Sequence, residues 1–214
     1  MAVKMDNSPL IIFQPFLKQL VSNLTGNVSA DLQLSGTIVN PRIDGALKLN
    51  KAGLTVNYLK TPYQITDDVL VENSVIKLDN LIIKDIKNHE AIANGTVDMN
   101  NPNNPDIDVI IVANNFMALN TKAKDNPNYY GVAYGTGTFS FKGPTDNMSI
   151  NIDAKTEAGT VFNIPLNASE TIGDNDFITF VSRDSTVAAR KVNYFKGLVM
   201  NFNLEVDQNS QVNI

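Results

Sequence analysis

The chain has 214 residues, no Cys, no Trp, a single His and a formal net charge of −5. That inventory excludes a disulfide framework, thiolate chemistry and transition-metal centres. No basic run is longer than Arg190-Lys191, so nothing can neutralise a row of nucleic-acid phosphates or dock tightly on an anionic membrane.

Charged residues make up 18% of the chain, against roughly 25% in ordinary soluble domains. Polarity comes instead from 29 Asn together with Ser and Thr. Asn tolerates left-handed backbone and caps its own chain, so this composition describes a sheet with many turns. No stretch approaches the roughly 18 apolar residues of a membrane-spanning helix. Asp6, Asn7 and Pro9 break up any leader-like run near the start.

The one helical pattern lies early. Pro15 suits a first helical turn, and Phe16, Leu17, Leu20, Val21 and Leu24 share a face at 3.6-residue spacing before Gly26. This short amphipathic helix is expected to plug the open end of a sheet core. A membrane-surface anchor would want several cations on its polar face, and only Lys18 is available.

From Val28 onward the period is two, with Leu32 and Leu34 set between Asp31, Gln33 and Ser35. A phrase then recurs: Gly36-Thr37-Ile38-Val39-Asn40-Pro41, Gly95-Thr96 running to Pro102, and Gly137-Thr138 running to Pro144. Each is followed by an alternating return: Ile43-Gly45-Leu47-Leu49, Ile107-Val109-Ile111-Ala113 and Met148-Ile150-Ile152-Ala154. Hairpin units that cannot bury a face alone stack into one long sheet. About 12 strands spaced by roughly 4.8 Å would give a sheet on the order of 55–60 Å long, which must curl, split or close. Turns are expected at Asn40, Asn94, Asn101, Asn104, Asn126, Gly143 and Gly173. Residues 114–130 read as a long loop, and residues 182–197 as charged and irregular.

Catalytic constellations are thin. His89 sits in the polar turn Lys87-Asn88-His89-Glu90 with no Gly-x-Ser-x-Gly elbow anywhere in the chain, so a nucleophilic triad is not supported. Carboxylates at Asp67-Asp68, Asp106/Asp108 and Asp174-Asn175-Asp176 could meet a hard cation. The last group lacks the Gly and bidentate Glu of a calcium loop, and all three read as ordinary turn acids. Gly131, Gly135 and Gly137 do not lead into a helix as a phosphate cradle would. Glycosidase-like carboxylate pairs would want aromatic sugar platforms, and Trp is absent. Five Asn-x-Ser/Thr sites, at Asn23, Asn27, Asn94, Asn147 and Asn167, are what chance supplies in such a chain. No cofactor is expected, and no enzymatic activity.

What remains is the aliphatic face. It suits a closed sandwich or barrel core, the reading composition favours, and it equally suits an open groove accepting hydrocarbon chains. Each methylene buried there would contribute roughly 0.8 kcal/mol.

Three passages carry a resemblance. The stretch from Leu32-Gln33-Leu34-Ser35-Gly36-Thr37 to Ile43-Asp44-Gly45-Ala46-Leu47 resembles the repeat phrase of TamB proteins, members of the AsmA-like group of Gram-negative envelope proteins. Asn115-Phe116-Met117-Ala118-Leu119-Asn120-Thr121, followed by Asp125-Asn126-Pro127-Asn128-Tyr129-Tyr130-Gly131-Val132-Ala133-Tyr134, is similar to a second passage of that family. Asp176-Phe177-Ile178-Thr179-Phe180 resembles a third. The ordered series covers roughly residues 26–206.

The resemblance implies a mostly β fold, an elongated curled sheet forming a half-open hydrophobic groove (a β-taco) with one short N-terminal amphipathic helix. It divides the chain into a leader with the helix (1–25), a repetitive β-groove domain (26–206) and a truncated continuation (207–214). It implies a periplasmic location within an inner-membrane-anchored envelope protein, and a segment of a lipid conduit shielding phospholipid acyl chains between the two membranes. The alternative is a chaperone-like scaffold that receives nascent outer-membrane β-strands by edge pairing. Implied partners are phospholipid acyl chains and an outer-membrane barrel protein, with self-association through open ends. The family's membrane anchor and its barrel-facing end have no counterpart here, so the chain reads as an internal portion, and the family supplies no catalytic residues to carry over. The expected groove lining is Leu32, Leu34, Ile38, Ile43, Leu47, Leu49, Ile107, Val109, Ile111, Met148, Ile150 and Ile152.

Overall fold

A computed structural model of the chain describes residues 1–37, 41–57, 59–125, 129–165, 197 and 199–213. These form a single sheet of 13 strands. In chain order they are β1 (Ala2–Pro9), β2 (Val21–Gly36), β3 (Pro41–Val56), β4 (Thr61–Ile65), β5 (Asp68–Glu72), β6 (Val75–Lys84), β7 (Glu90–Asp98), β8 (Asp106–Thr121), β9 (Tyr130–Pro144), β10 (Ser149–Thr156), β11 (Val161–Asn163), β12 (Val199–Glu205) and β13 (Gln211–Asn213). The main path runs β1-β2-β3-β4-β6-β7-β8-β9-β10-β12. It is an antiparallel meander until β12, which joins β10 in parallel. Strands β4 and β5 act as one broken strand, covering the two halves of the long β3 in turn.

The helical piece lies earlier than the periodicity predicts. A 3-10 turn (Leu10–Phe13) leads into a single α-helical turn, α1 (Gln14–Leu17), with Pro15 in its first turn. Val21 and Leu24 belong instead to β2, and Gly26 bends that strand at φ +80° rather than ending a helix. Tertiary pairing decides this, because Val21 lies opposite Val56 of β3 and a strand partner outweighs a weak helical preference. Leu10, Phe13 and Leu17 pack against the core beside Leu24 and Val28, so the inner side of the turn does plug one end of it. Phe16, expected on that inner side, is 63% exposed. Gln14 clamps the piece in place: its Nε2 donates to the Val21 carbonyl at 3.0 Å, and its Oε1 accepts from the Leu24 N–H at 3.2 Å.

Two further expectations are corrected. Residues 114–121 are not loop but the second half of β8, carried past Ala113 by register shifts before Phe116 and between Met117 and Leu119. Asn94-Gly95 is not a turn but mid-strand in β7, where the Asn94 Oδ1 accepts the Asn80 N–H of a bulged β6 at 2.8 Å. The expected turns at Asn40, Asn126 and Gly173 lie outside the described residues, as does most of 182–197.

The sheet is strongly curled. Strands β4 and β8 are three places apart on the path, which in a flat sheet means roughly 14 Å. Yet the Tyr63 and Phe116 rings stack with centroids 5.1 Å apart, and the Tyr63 hydroxyl donates to the Met117 carbonyl at 3.0 Å. Burial pushes the Tyr63 hydroxyl pKa well above its ordinary value, and the nearby Asp85 carboxylate adds to that shift.

Asp85 anchors the same clasp. Its side chain is 0% exposed and sits in the β6–β7 turn. One carboxylate oxygen accepts the N–H groups of Lys87 (2.7 Å) and His89 (2.9 Å). The other accepts the Met117 N–H of β8 at 3.0 Å and meets the His89 ring Nδ1 at 3.1 Å.

The last strands build differently. Residues 149–163 and 199–213 stack as two parallel strand–corner–strand layers in constant register, Ser149 on Val199 through Lys155 on Glu205 and Val161 on Gln211 through Asn163 on Asn213. Polar side chains align along these layers: Asn201 donates to Asn151 at 2.8 Å, Asn203 to the Asp153 carboxylate at 3.1 Å and Asn213 to Asn163 at 2.7 Å. At the corner the Asp207 N–H donates to the Thr156 hydroxyl at 2.9 Å, and that hydroxyl donates to Ser210 Oγ at 2.8 Å.

Candidate functional site: the inner apolar face

Alternation places one side of each strand inside the curl. Of the residues expected to line a groove, Leu32, Val109, Met148 and Ile150 are buried. Leu34, Ile43, Leu47, Leu49, Ile107, Ile111 and Ile152 are only half-buried. Ile38 lies outside the described residues.

These residues do not form one cluster. Val109 belongs to an apolar cluster with Val28, Val69 and Leu81, and Leu47, Leu49, Ile107 and Ile111 pack against it. Ile152 packs against a second cluster around Tyr63, Phe116, Phe139 and Ala154. A third, Leu119, Tyr129 and Phe162 with Met200 and Val212 against them, continues to the far end. Ile111 contacts the first two clusters, as do Leu54 and Ile83. The apolar surface is therefore continuous from the plugging turn to β12.

Much of this face is half-buried rather than fully buried. Ile and Leu are among the residues most often buried completely. Here Leu47, Leu49, Ile76, Leu78, Ile83, Val97, Ile107 and Ile111 all pack inward, yet each keeps part of its side chain in contact with solvent. Two glycines also thin the lining. Gly45 (φ +141°) and Gly95 (φ +136°) sit so close to the neighbouring strand that a Cβ would fall 2.1 Å and 2.0 Å from the carbonyl oxygens of Asp31 and Asp108.

Sequence reasoning missed the aromatic character of the far end. A shallow recess of about 80 Å³ lies between β8, β9, β10 and β12, lined by Leu119, Tyr129, Tyr134, Phe139, Phe141, Ile150, Ile152, Phe162, Met200, Phe202 and Leu204 among others. Phe162 meets Phe202 edge-on at 6.2 Å and Tyr129 at 6.4 Å. The signal was present in the alternation of Phe139 with Phe141 and of Phe202 with Leu204. The pairing of distant segments that gathers them was not.

Chemistry other than apolar contact is sparse. Among the described residues no group of three or more His, Asp or Glu side chains could hold a metal ion. No helix among them is long and apolar enough to cross a membrane. The single histidine is engaged with Asp85 in the clasp.

No curated protein and no solved structure matches the chain. A family model does, that of the TamB C-terminal domain, over residues 79–214. That span begins in β6 and takes in the clasp partners on β8, the aromatic recess and both parallel layers. The chain belongs to the TamB family of envelope proteins, which are associated with lipid transport and assembly.

Proposed function

We propose that the chain is a non-catalytic segment of a periplasmic lipid conduit, a half-open groove whose inner face shields phospholipid acyl chains on their way between the inner and outer membranes. The observation that carries this reading is the row of inward-facing aliphatic side chains left half-buried. A side chain already facing inward but still wetted gains from a hydrocarbon guest, which removes the remaining water contact from both. Eight methylenes seated there would contribute about 6 kcal/mol, enough to offset the cost of leaving a bilayer locally while imposing little shape selectivity. In this reading the chain needs no cofactor, binds no nucleic acid and works in series with an outer-membrane barrel protein.

The test is native mass spectrometry with lipid extraction on protein purified without detergent. Phospholipid should co-purify and should be lost in Leu47→Arg and Ile111→Arg, whose half-buried positions let the guanidinium reach water while the sheet folds. A folded wild-type chain free of lipid, or lipid retained by both folded variants, would overturn the proposal.

A further inference from the structure

The connection between β1 and β2 is longer than the pairing of those strands requires. Pro9 already lies opposite Asn27, so a tight hairpin could join them. The chain instead leaves the sheet at Leu10, makes one 3-10 turn and one α-helical turn, and re-enters at Val21. The excursion sets Leu10 into the first apolar cluster at 6% exposure, with Phe13 and Leu17 packed against that cluster. Leu47, Leu49, Ile107 and Ile111 of the half-buried inner face pack against it too. Three side chains of the connection thus share one apolar surface with the groove walls. Together they present roughly fifteen side-chain carbons, as many as one fatty acyl chain.

The piece is lightly held. Neither of its turns has a side-chain cap, and a single helical turn has no stability of its own. Among the described residues its side-chain ties to the strands are the two Gln14 bonds, to the Val21 carbonyl and the Leu24 N–H, and one from Asn57 Nδ2 to the Lys18 carbonyl at 2.9 Å. Ile11, Ile12 and Phe16 on its outer side are exposed. We propose that residues 10–17 are an internal stopper that competes with an acyl chain for this end of the groove. Lipid entering there lifts Leu10, Phe13 and Leu17 off the cluster, and the turn closes back when the lipid leaves. This rests on the conduit reading and gives the conduit a regulated end. A competitor already seated weakens apparent binding by the fraction of molecules in which it is displaced. Trimming the stopper must therefore tighten lipid binding, whereas trimming a groove wall must loosen it.

The test is isothermal titration calorimetry of the full chain with monomeric dioctanoylphosphatidylcholine, a zwitterionic lipid that an acidic chain does not repel. Phe13→Ala removes the largest side chain of the stopper. Gln14→Ala keeps every apolar side chain and only releases the turn from β2, so it stays informative if Phe13→Ala fails to fold. Both should bind the lipid about fivefold tighter than wild type or better. Ile12→Ala, on the exposed side of the turn, should match wild type. In the wild type, saturating lipid should also speed hydrogen exchange at the Leu24 N–H, which Gln14 Oε1 shields. Folded Phe13→Ala and Gln14→Ala chains that bind no tighter than wild type, or no tighter than Ile12→Ala, would overturn the stopper. Leu24 exchange that slows or stays constant on binding would overturn it as well. Those outcomes leave the conduit standing, because lipid has bound, whereas no binding by any of the chains would overturn both.

Discussion

Replacing Asp85 should be the most costly single change in the turn between β6 and β7. Its carboxylate accepts three backbone N–H groups and faces the His89 ring, with no exposure of the side chain. Asp85→Ala leaves the N–H groups of Lys87, His89 and Met117 without that acceptor. Each buried orphan costs about 1–3 kcal/mol, less where the turn can relax toward water. Lys87 and His89 lie in the turn and can relax, but Met117 is buried and held within β8. A total of about 4 kcal/mol is expected, which for a chain of this size lowers Tm by roughly 8–16 °C. Asp85→Asn is the sharper comparison. It keeps an oxygen for the turn but turns an NH₂ toward the Met117 N–H, donor against donor, at a cost of about 2 kcal/mol. Urea unfolding gives both values, and hydrogen exchange at Met117 reports the clasp directly. If both variants unfold within about 1 kcal/mol of the wild type, the argument that Asp85 holds the curl closed is wrong.

Tyr63→Phe removes the hydroxyl bond to Met117 and should cost about 1 kcal/mol. The wild type should also lose stability as pH rises past about 10, the pKa of an unfolded tyrosine. The folded hydroxyl, shifted upward, stays protonated there while the unfolded one ionises; the variant should lack this share of the alkaline loss in pH-dependent urea midpoints. Gly95→Ala should destabilise by about 3 kcal/mol, because its φ of +136° and the Asp108 carbonyl at 2.0 Å leave no place for a methyl group; a thermal melt within about 2 °C of wild type would refute the close approach. Ile150→Arg, 3% exposed in the wild type, should unfold the chain, while Leu47→Arg should cost only about 1–2 kcal/mol. Equal midpoints for the two would mean that the inner face is uniformly buried.

Where alternation was clean, the sequence was legible. Leu47 and Leu49, Val69 and Val71, Ile150 and Ile152 all face inward as their spacing predicts. It was ambiguous at Leu81-Ile82-Ile83 and Val109-Ile110-Ile111-Val112, where both faces are aliphatic. There Ile82, Ile92 and Val112 form an exposed cross-strand row on the outer face, which periodicity cannot tell from the inner one. The second half of β8 was hidden because two register shifts break its period and Asn114-Asn115 looks like a turn. The helix was displaced because Leu20, Val21 and Leu24 fit its spacing, while the pull of β3 on Val21 is a long-range effect that no local window contains. The aromatic recess was the least legible part. Phe162 and Phe202 meet only because β12 pairs with β10, a segment far from it in the chain.

The constant register of the two parallel layers bears on how that end of the molecule folds. Each pair from Ser149–Val199 to Asn163–Asn213 joins residues separated by the same length of chain. The entropy of closing that loop is therefore lost once, with whichever pair meets first, and every later pair adds only a local ordering cost. Such a ladder behaves as a zipper with an expensive first tooth. Strands β12 and β13 should form and open as one cooperative unit, after β10 and β11 have set the template and not before.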